Sequence, residues 1–309
     1  MEGAAMQNPS GRRRRFTLTC GLCLLTLAVT LAAGPAARAQ APARPASLDE
    51  VLKALSTYDG GIESAAVWKL RDYVEARKAD PAGRAECEAK LLQFLKTPAT
   101  PVAKMAACRQ LRIIASDAAV PALQAMLPDE GLADMALYVL QQIPGAAADS
   151  ALGQALPKAA GPTKIAIISA LGQRKAASAV PALATLLTQP EFAGPAAVAL
   201  GTIGGDAAAE ALVRSFAGAQ ADLRATVAAS MMKCAETFLA ARNEGAALRL
   251  YETLLADGSL PVPLKRAAAV GRLSAAGTSA VAILMTQLGG SDAVLQEAAI
   301  ARIKDVIKP

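Results

Sequence analysis

Apolar residues recur at helical spacing in short runs along most of the chain, and turn residues separate the runs. Lys164–Gly172 (KIAIISALG) and Val180–Leu187 (VPALATLL) are two of these runs. Gly, Asp, Ser and Ala lie between successive runs, where a turn requires a permissive backbone. Pro121 and Pro181 fall in the first turn of predicted helices, where a missing amide proton costs little and the fixed φ suits helix entry. The pattern predicts consecutive helix–turn–helix units.

These units repeat. The segment Ala170–Leu183 (ALGQRKAASAVPAL) recurs as Gln110–Leu123, Val139–Leu152 and Ala199–Leu212, with starts 29, 31 and 29 residues apart. Leucine occupies the second and fourteenth positions of all four copies, and the fifth position is Ile in three copies and Arg174 in the other. A period near 30 residues is typical of stacked helical repeats.

Stacking also explains the composition of the helices. The run IAIISAL within Lys164–Gly172 is apolar almost all round, so the helix must be covered on both sides. Ala dominates the helix faces and aromatic residues make up only 3% of the chain, which allows close packing. We therefore predict an all-α, right-handed α-solenoid of about seven stacked helical hairpins over residues 48–309.

The repeat resembles the HEAT-like family, in particular its short subtype named after phycobilisome lyases, with the form A-L-G-x-I-G-D-x-x-A-V-P-x-L. One copy matches at Ala170, Leu171, Gly172, Ala179, Val180, Pro181 and Leu183, and another matches at Ala199, Leu200, Gly201, Ile203, Gly204, Ala208 and Leu212. The resemblance is clear over residues 100–220 and weaker on either side. It implies an all-α superhelix of the HEAT or armadillo type and says little about activity, because many unrelated proteins use this repeat to bind other proteins.

The N-terminus has the three parts of a secretory signal peptide. Basic Met1–Arg15 precedes the mostly apolar Phe16–Ala33, and Ala37-Arg38-Ala39 supplies a small–x–small cleavage pattern. We predict a signal peptide over 1–39, cleaved near Ala39/Gln40, a Pro/Ala linker over 40–47, and a periplasmic or secreted protein.

The export route stays open at this point. Arg13-Arg14-Arg15-Phe16 fits the twin-arginine form, and an ordinary Sec signal with extra Arg is the alternative. An uncleaved anchor is a further alternative, because the apolar run is about long enough to span a bilayer. Membrane contact is expected only through this segment.

The net charge argues against nucleic acid as a partner. Of the formal +6, residues 1–39 contribute +4 through five Arg and one Glu, so the rest of the chain carries only +2. Nucleic-acid-binding proteins usually show a clustered basic stripe, and no such cluster follows residue 39.

The chain contains no His. This excludes Ser-His-Asp and Cys-His catalytic pairs and His-ligated zinc, iron or copper. HEAT-repeat hydroxylases bind iron through His-Glu pairs, which this chain lacks. No phosphate-loop, zinc-protease, nucleophile-elbow or EF-hand motif is present, and the acids Glu86, Glu88 and Asp134 are expected on solvated helix faces. We predict no catalytic residue, no metal, no cofactor and no enzyme, although carboxylate-only chemistry stays open.

Three cysteines, Cys87, Cys108 and Cys234, follow the N-terminal segment. Their odd number and wide spacing do not form a disulfide framework. We interpret them as small buried hydrophobic residues, with a Cys87–Cys108 bridge between neighbouring helices as the alternative.

The expected function is that of a protein-binding scaffold or adaptor of the cell envelope, with a partner protein bound along the solenoid surface. The sole Trp, Trp68, is either a core residue, which average burial favours, or an exposed interface anchor beside Arg71. Candidate protein-binding residues are Trp68, Arg71, Arg109, Arg112, Tyr138, Gln141, Lys164 and Arg224. The alternatives are an accessory or lyase-type repeat protein that acts on a bound small molecule or pigment, and a nucleic-acid-binding solenoid.

Overall fold

The structure, a computed structural model, describes residues 47–61 and 64–307. The predicted signal peptide, its cleavage site and the linker residues 40–46 lie outside the described residues, and they stay predictions. Within the described ranges the chain forms sixteen α-helices and three short 3₁₀ turns, and no strand.

The helices follow one another through short turns. The first eight are α1 Leu48–Leu55, α2 Ala65–Glu75, α3 Pro81–Leu95, α4 Pro101–Ile114, α5 Val120–Gln124, α6 Ala133–Leu140, α7 Ala146–Ala155 and α8 Gly161–Gln173. The second eight are α9 Val180–Leu186, α10 Pro190–Ile203, α11 Asp206–Gly218, α12 Ala221–Ala240, α13 Glu244–Leu255, α14 Val262–Ala275, α15 Ala280–Gly289 and α16 Ala293–Val306.

Helix contacts define a two-layer solenoid. Each odd-numbered helix packs against the even-numbered helix that follows it, from α1–α2 to α15–α16, and even-numbered helices pack against the next even-numbered helix from α2 to α16. Odd-numbered helices form the second layer in the same way, with contacts such as α5 to α7 and α9 to α11. Eight hairpins, α1–α2 to α15–α16, therefore stack on one another. The predicted all-α solenoid is confirmed, with eight hairpins where the sequence predicted about seven.

Side-chain caps start several of the helices. Ser47 and Glu50 form a capping box at α1, with each side chain bonded to the backbone N–H of the other residue. Ser64 caps α2 by accepting a bond from the Ala66 N–H, so α2 begins at Ala65 and ends at Glu75.

The leucines of the repeated segment form the centre of the core. At the second and fourteenth positions of all four copies, each leucine is fully buried; these are Leu111, Leu140, Leu171, Leu200, Leu123, Leu152, Leu183 and Leu212. Burying a Leu side chain contributes about 1.5–3 kcal/mol relative to leaving it exposed. The repeat spacing in the sequence is therefore the spacing at which the hairpins stack.

The third position of the repeat sets how closely even-numbered helices approach. A Cβ atom added at Gly172 would lie 2.9 Å from Ala199 Cα, and one added at Gly201 would lie 2.5 Å from the backbone oxygen of Ser230. Glycine is thus required where α8 meets α10 and where α10 meets α12. The first two copies carry Arg112 and Gln141 at this position.

Arg174, the residue that departs from Ile at the fifth position, joins two repeats. Its guanidinium forms an ion pair with Asp149 and donates to carbonyls at the end of α6 and in the following turn, those of Leu140, Gln141, Ile143 and Gly145. The side chain is only 8% exposed. One cation therefore satisfies the carbonyls that the end of α6 leaves without helical partners.

We expect Gly201→Ala to lower the free energy of unfolding by about 1–3 kcal/mol, because the added methyl group must displace the α12 backbone. Gly153→Ala is the matched control within α7: a Cβ there meets nothing within 4 Å, so the better helix propensity of Ala should stabilise by about 0.5–1 kcal/mol. Urea denaturation followed by circular dichroism measures both. Equal effects of the two substitutions would contradict the packing assigned to Gly201.

We expect Arg174→Met to destabilise the protein by about 3 kcal/mol or more, since it leaves Asp149 and several carbonyls without their partner. Arg214→Met is the control, because Arg214 pairs with Glu210 at 3.6 Å on the surface and both side chains are 70% exposed; its effect should stay below about 0.5 kcal/mol. Thermal and urea denaturation of both variants check the difference. A loss at Arg174 no larger than at Arg214 would show that the buried network adds nothing to stability.

Candidate protein-binding surface

The outward face of α4 combines arginines with apolar side chains. Arg109, Arg112 and Ile113 are exposed along this helix, and Val102 continues the same stripe into its first turn. Val102 is 41% and Ile113 55% exposed. These positions recur at intervals of three and four residues and so share one face, opposite the buried stripe that contains Leu111.

Arg112 and Tyr138 connect this face to α6. The Arg112 guanidinium lies 4.9 Å from the centre of the Tyr138 ring, and its Nη1 donates a 3.1 Å hydrogen bond to the Tyr138 hydroxyl. Gln141 lies one turn further along the chain and is partly buried. Arg112 thereby contacts α6 from the repeat position that Gly172 and Gly201 occupy in later repeats.

Trp68 and Arg71 extend the surface onto α2. The Arg71 guanidinium lies 4.3 Å from the centre of the Trp68 ring, an arrangement typical of cation–π pairs. Trp68 is 40% exposed, so the interpretation of Trp68 as a core residue is wrong. Its position on a helix near the N-terminal end of the stack, with fewer neighbours to cover it, explains the difference.

We call the outward faces of α2, α4 and α6 the α2–α4–α6 surface. Five of the sequence-predicted residues, Trp68, Arg71, Arg109, Arg112 and Tyr138, lie on these three consecutive helices of one layer. Sequence reasoning missed Val102 and Ile113, although Ile113 lies four residues and Val102 seven residues from Arg109, which are helical spacings for one face.

Arg109 and Arg112 differ from several other cations of the even-numbered layer in their electrostatic surroundings. Within residues 47–61 and 64–307, no carboxylate forms an ion pair with either guanidinium. By contrast, Lys233 pairs with Glu236 at 2.8 Å and Arg71 pairs with Asp72 at 2.9 Å. Helix α4 itself contains no acidic residue. Its outward face therefore presents uncompensated positive charge.

Lys164 and Arg224 lie elsewhere and are engaged within the protein. The Lys164 ammonium lies 4.8 Å from the centre of the Phe192 ring, between α8 and α10. Arg224 donates to Asp257 at 2.8 Å, and this hydrogen bond lowers the pKa of the Asp257 carboxyl. The structure does not bring these two cations onto the α2–α4–α6 surface.

Of the acids named from the sequence, Glu88 has a structural role. Glu88 is buried, not solvated as the sequence suggested, because its carboxylate accepts 2.9 Å bonds from the Ser116 N–H and hydroxyl at the end of α4. Among the described residues, no group of three or more His, Cys, Asp or Glu side chains could hold a metal ion. Glu88 thus acts as a cap for the turn after α4.

Cys87, Cys108 and Cys234 are free, buried thiols, which confirms their interpretation as small core residues; the alternative Cys87–Cys108 bridge is not present. Burial raises the pKa of Cys108 to about 12 and that of Cys234 to about 11. Since the thiolate is the nucleophile, neither thiol is suited to catalysis.

A cleft of about 330 Å³ opens between the C-terminal ends of α5 and α7, lined mainly by apolar residues with Gln124, Gln154 and Lys158 at its edge. Its volume is at the lower limit for ligand pockets.

No single helix of the described ranges is long and apolar enough to cross a membrane. The pair Val262–Ala275 and Gly277–Gly289, bent by 114°, reaches that length and composition only when the two helices are taken together.

No protein-family model and no curated protein sequence matches the chain. Among solved structures, an engineered protein is 19% identical, with 83% of this chain and 78% of that chain covered and a TM-score of 0.39. The complex of CpcE and CpcF of phycocyanin lyase from Nostoc sp. PCC7120 is 18% identical, with 87% and 98% covered and a TM-score of 0.36. Human deoxyhypusine hydroxylase is 16% identical, with 84% and 95% covered and a TM-score of 0.33. At these values the similarity concerns helical-repeat architecture and not activity.

The prediction that the chain is not an enzyme, which rested on the absence of His and of known catalytic motifs, is wrong. Two of these helical-repeat proteins are named as a lyase and a hydroxylase, so repeats of this kind do not exclude catalysis. The physical reason is that a stack of helices supplies a frame, whereas the side chains placed on the frame decide the chemistry. The absence of His removes the sites that need His and no others.

We expect Cys108 and Cys234 to resist alkylation in the folded protein at pH 8. A pKa of about 12 in place of 9.0 reduces the thiolate fraction of Cys108 about a thousandfold, in addition to the steric protection of burial. Iodoacetamide labelling followed by peptide mass spectrometry measures each cysteine separately, with the urea-denatured chain as the control. Labelling of native Cys108 as fast as in urea would contradict its burial between helices.

Proposed function

We propose that the protein is an exported scaffold that binds a partner protein through the α2–α4–α6 surface. The observation that carries the proposal is the pairing of aromatic and arginine side chains on helices of one layer: exposed Trp68 with Arg71 and half-buried Tyr138 with Arg112. Trp, Tyr and Arg dominate the binding energy of protein interfaces.

The rigidity of the surface supports this function. Each of the three helices is anchored by fully or almost fully buried side chains, such as Leu70 of α2, Leu111 of α4 and Leu140 of α6. The Arg112 side chain is further held by the Tyr138 hydroxyl. A partner would meet a surface that is already ordered, which lowers the entropy lost on binding.

The resemblance to short HEAT-like repeats and the export signal complete the proposal. The repeat positions of residues 170–183 and 199–212 support the family assignment, and the three-part N-terminal pattern supports delivery to the periplasm or beyond. A scaffold in that compartment would present the α2–α4–α6 surface to proteins of the cell envelope.

A small-molecule or pigment site of the lyase type has one observation in its favour, the apolar cleft between α5 and α7. The cleft contains no carboxylate pair and no cysteine. A nucleic-acid-binding solenoid has less support, because several exposed cations of the even-numbered layer are paired with carboxylates.

The test is cross-linking in living cells of the full chain with a C-terminal affinity tag, followed by purification and mass spectrometry of bound proteins. We expect a partner whose recovery falls tenfold or more in the Trp68→Ala/Tyr138→Ala variant, since loss of two interface anchors costs about 2 kcal/mol each.

The Val281→Ala/Met285→Ala variant is the matched control, because it truncates two exposed apolar side chains on the odd-numbered helix α15. A partner recovered equally with both variants would show that the interface lies elsewhere. N-terminal sequencing of the tagged protein tests export in the same experiment: we expect Gln40 as the first residue, and an intact Met1 in the cytoplasmic fraction would overturn the predicted processing.

A further inference from the structure

The charge and apolar pattern of α4 defines the chemistry of a partner, and this step rests on the proposed function. We infer that the α2–α4–α6 surface binds an extended acidic segment of a partner protein, with apolar side chains on the same face as its carboxylates. Arg109 and Arg112 would bind the carboxylates, and the exposed side chains of Val102 and Ile113 would contact the apolar residues.

The first argument is charge complementarity. Arg109 and Arg112 lie one turn apart on an acid-free helix, and neither has an ion-pair partner in the described part of the chain. Arg266 on α14, an arginine in the same layer, is paired with Glu297 of α16, the next helix of that layer. The guanidinium fork is shaped for carboxylates, so an acidic occupant supplies what the chain itself supplies elsewhere.

The second argument is spacing. Side chains three residues apart on a helix have Cβ atoms about 5–6 Å apart, and alternate residues of an extended segment are about 6.6–7 Å apart. Two acidic residues separated by one residue can therefore reach Arg109 and Arg112 together. Because successive side chains of an extended segment point to opposite faces, an apolar residue that contacts Ile113 must lie two residues from an acid. The pattern expected in the partner is acid–x–acid–x–apolar.

The third argument distinguishes a peptide from a nucleic acid. Ile113 is 55% and Val102 41% exposed on the stripe that carries the arginines. A phosphate backbone offers nothing to cover these side chains, and sequence-independent binding of nucleic acid depends on many cations along a groove. Two arginines beside two aliphatic side chains fit a short amphipathic segment of protein.

The exposed side chains of Val102 and Ile113 add a contribution to binding beyond the attraction between arginines and carboxylates. Exposed aliphatic side chains beside charges gain by burial against aliphatic side chains of the partner, while the arginines fix its register and orientation. Arg112 is held by Tyr138 at 3.1 Å, so its guanidinium is already positioned for a ligand.

The experiment measures binding of fluorescent twelve-residue peptides to the purified full chain by anisotropy at 50 mM and 500 mM NaCl. The probe, the Glu–Val peptide, carries Glu, Glu and Val in turn at alternate positions with Ser between them. The Gln–Val peptide replaces each Glu with Gln, and a single-stranded DNA 20-mer is the third ligand. We expect saturable binding of the Glu–Val peptide alone, weakened at least fivefold at 500 mM NaCl.

Arg109→Glu/Arg112→Glu should weaken binding of the Glu–Val peptide at least tenfold. Arg214→Glu/Arg249→Glu is the matched control, since it makes the same change of charge on α11 and α13 of the other layer, and it should change the affinity less than twofold. Circular dichroism confirms that all variants are folded, and Arg109→Gln/Arg112→Gln repeats the comparison without introducing repulsion.

Three results would overturn the inference: equal binding of the Gln–Val peptide, equal losses in the two charge-reversed variants, or tighter binding of the DNA. If the cross-linked partner depends on Trp68 and Tyr138 while the Glu–Val peptide does not bind, the acidic assignment falls and the scaffold function stands. If the peptide binds through Arg109 and Arg112 but no partner depends on Trp68 and Tyr138, the binding chemistry stands and the scaffold function falls.

Discussion

Contact between neighbouring hairpins is the constraint on which the whole structure depends. No hairpin of this chain can bury its own apolar residues, because a helix such as α8 is apolar on nearly every side and needs cover from α6, α7 and α10. The fully buried leucines at two fixed positions of each repeat supply that cover. The residue at the third repeat position, glycine or a long side chain, changes how closely neighbouring helices of the stack approach.

The fold could be predicted from the sequence because its information is local and repeated. Leu111, Leu140, Leu171 and Leu200 mark the core by recurring at one position, and their burial follows from periodicity alone. The extent of α2 could not be predicted in the same way, because Ser64 starts it through a single hydrogen bond. Nor could the burial of Glu88, whose partner Ser116 lies 28 residues away.

The α2–α4–α6 surface was predicted only in part, because some of its features follow from local sequence spacing and others from contacts between residues distant in the sequence. Arg109, Arg112 and Tyr138 share a face because of helix periodicity and repeat spacing, which the sequence displays. The exposure of Trp68 depends on how many helices surround α2. Arg224 looked like a surface cation, but its commitment to Asp257, 33 residues further along, is a property of the packed structure.

The close helix contacts at Gly172 and Gly201 also affect the relative position of distant hairpins. In an array where each hairpin touches only its neighbours, the angle set at one seam is carried to every hairpin beyond it. Even-numbered helices packed at about 8–10 Å place α2 about 30–40 Å from α10, so a rotation of 5° at the Gly201–Ser230 contact would displace α2 by about 3 Å. The residue at position 201, in the second half of the solenoid, therefore affects where a surface four helices away lies relative to the C-terminal hairpins.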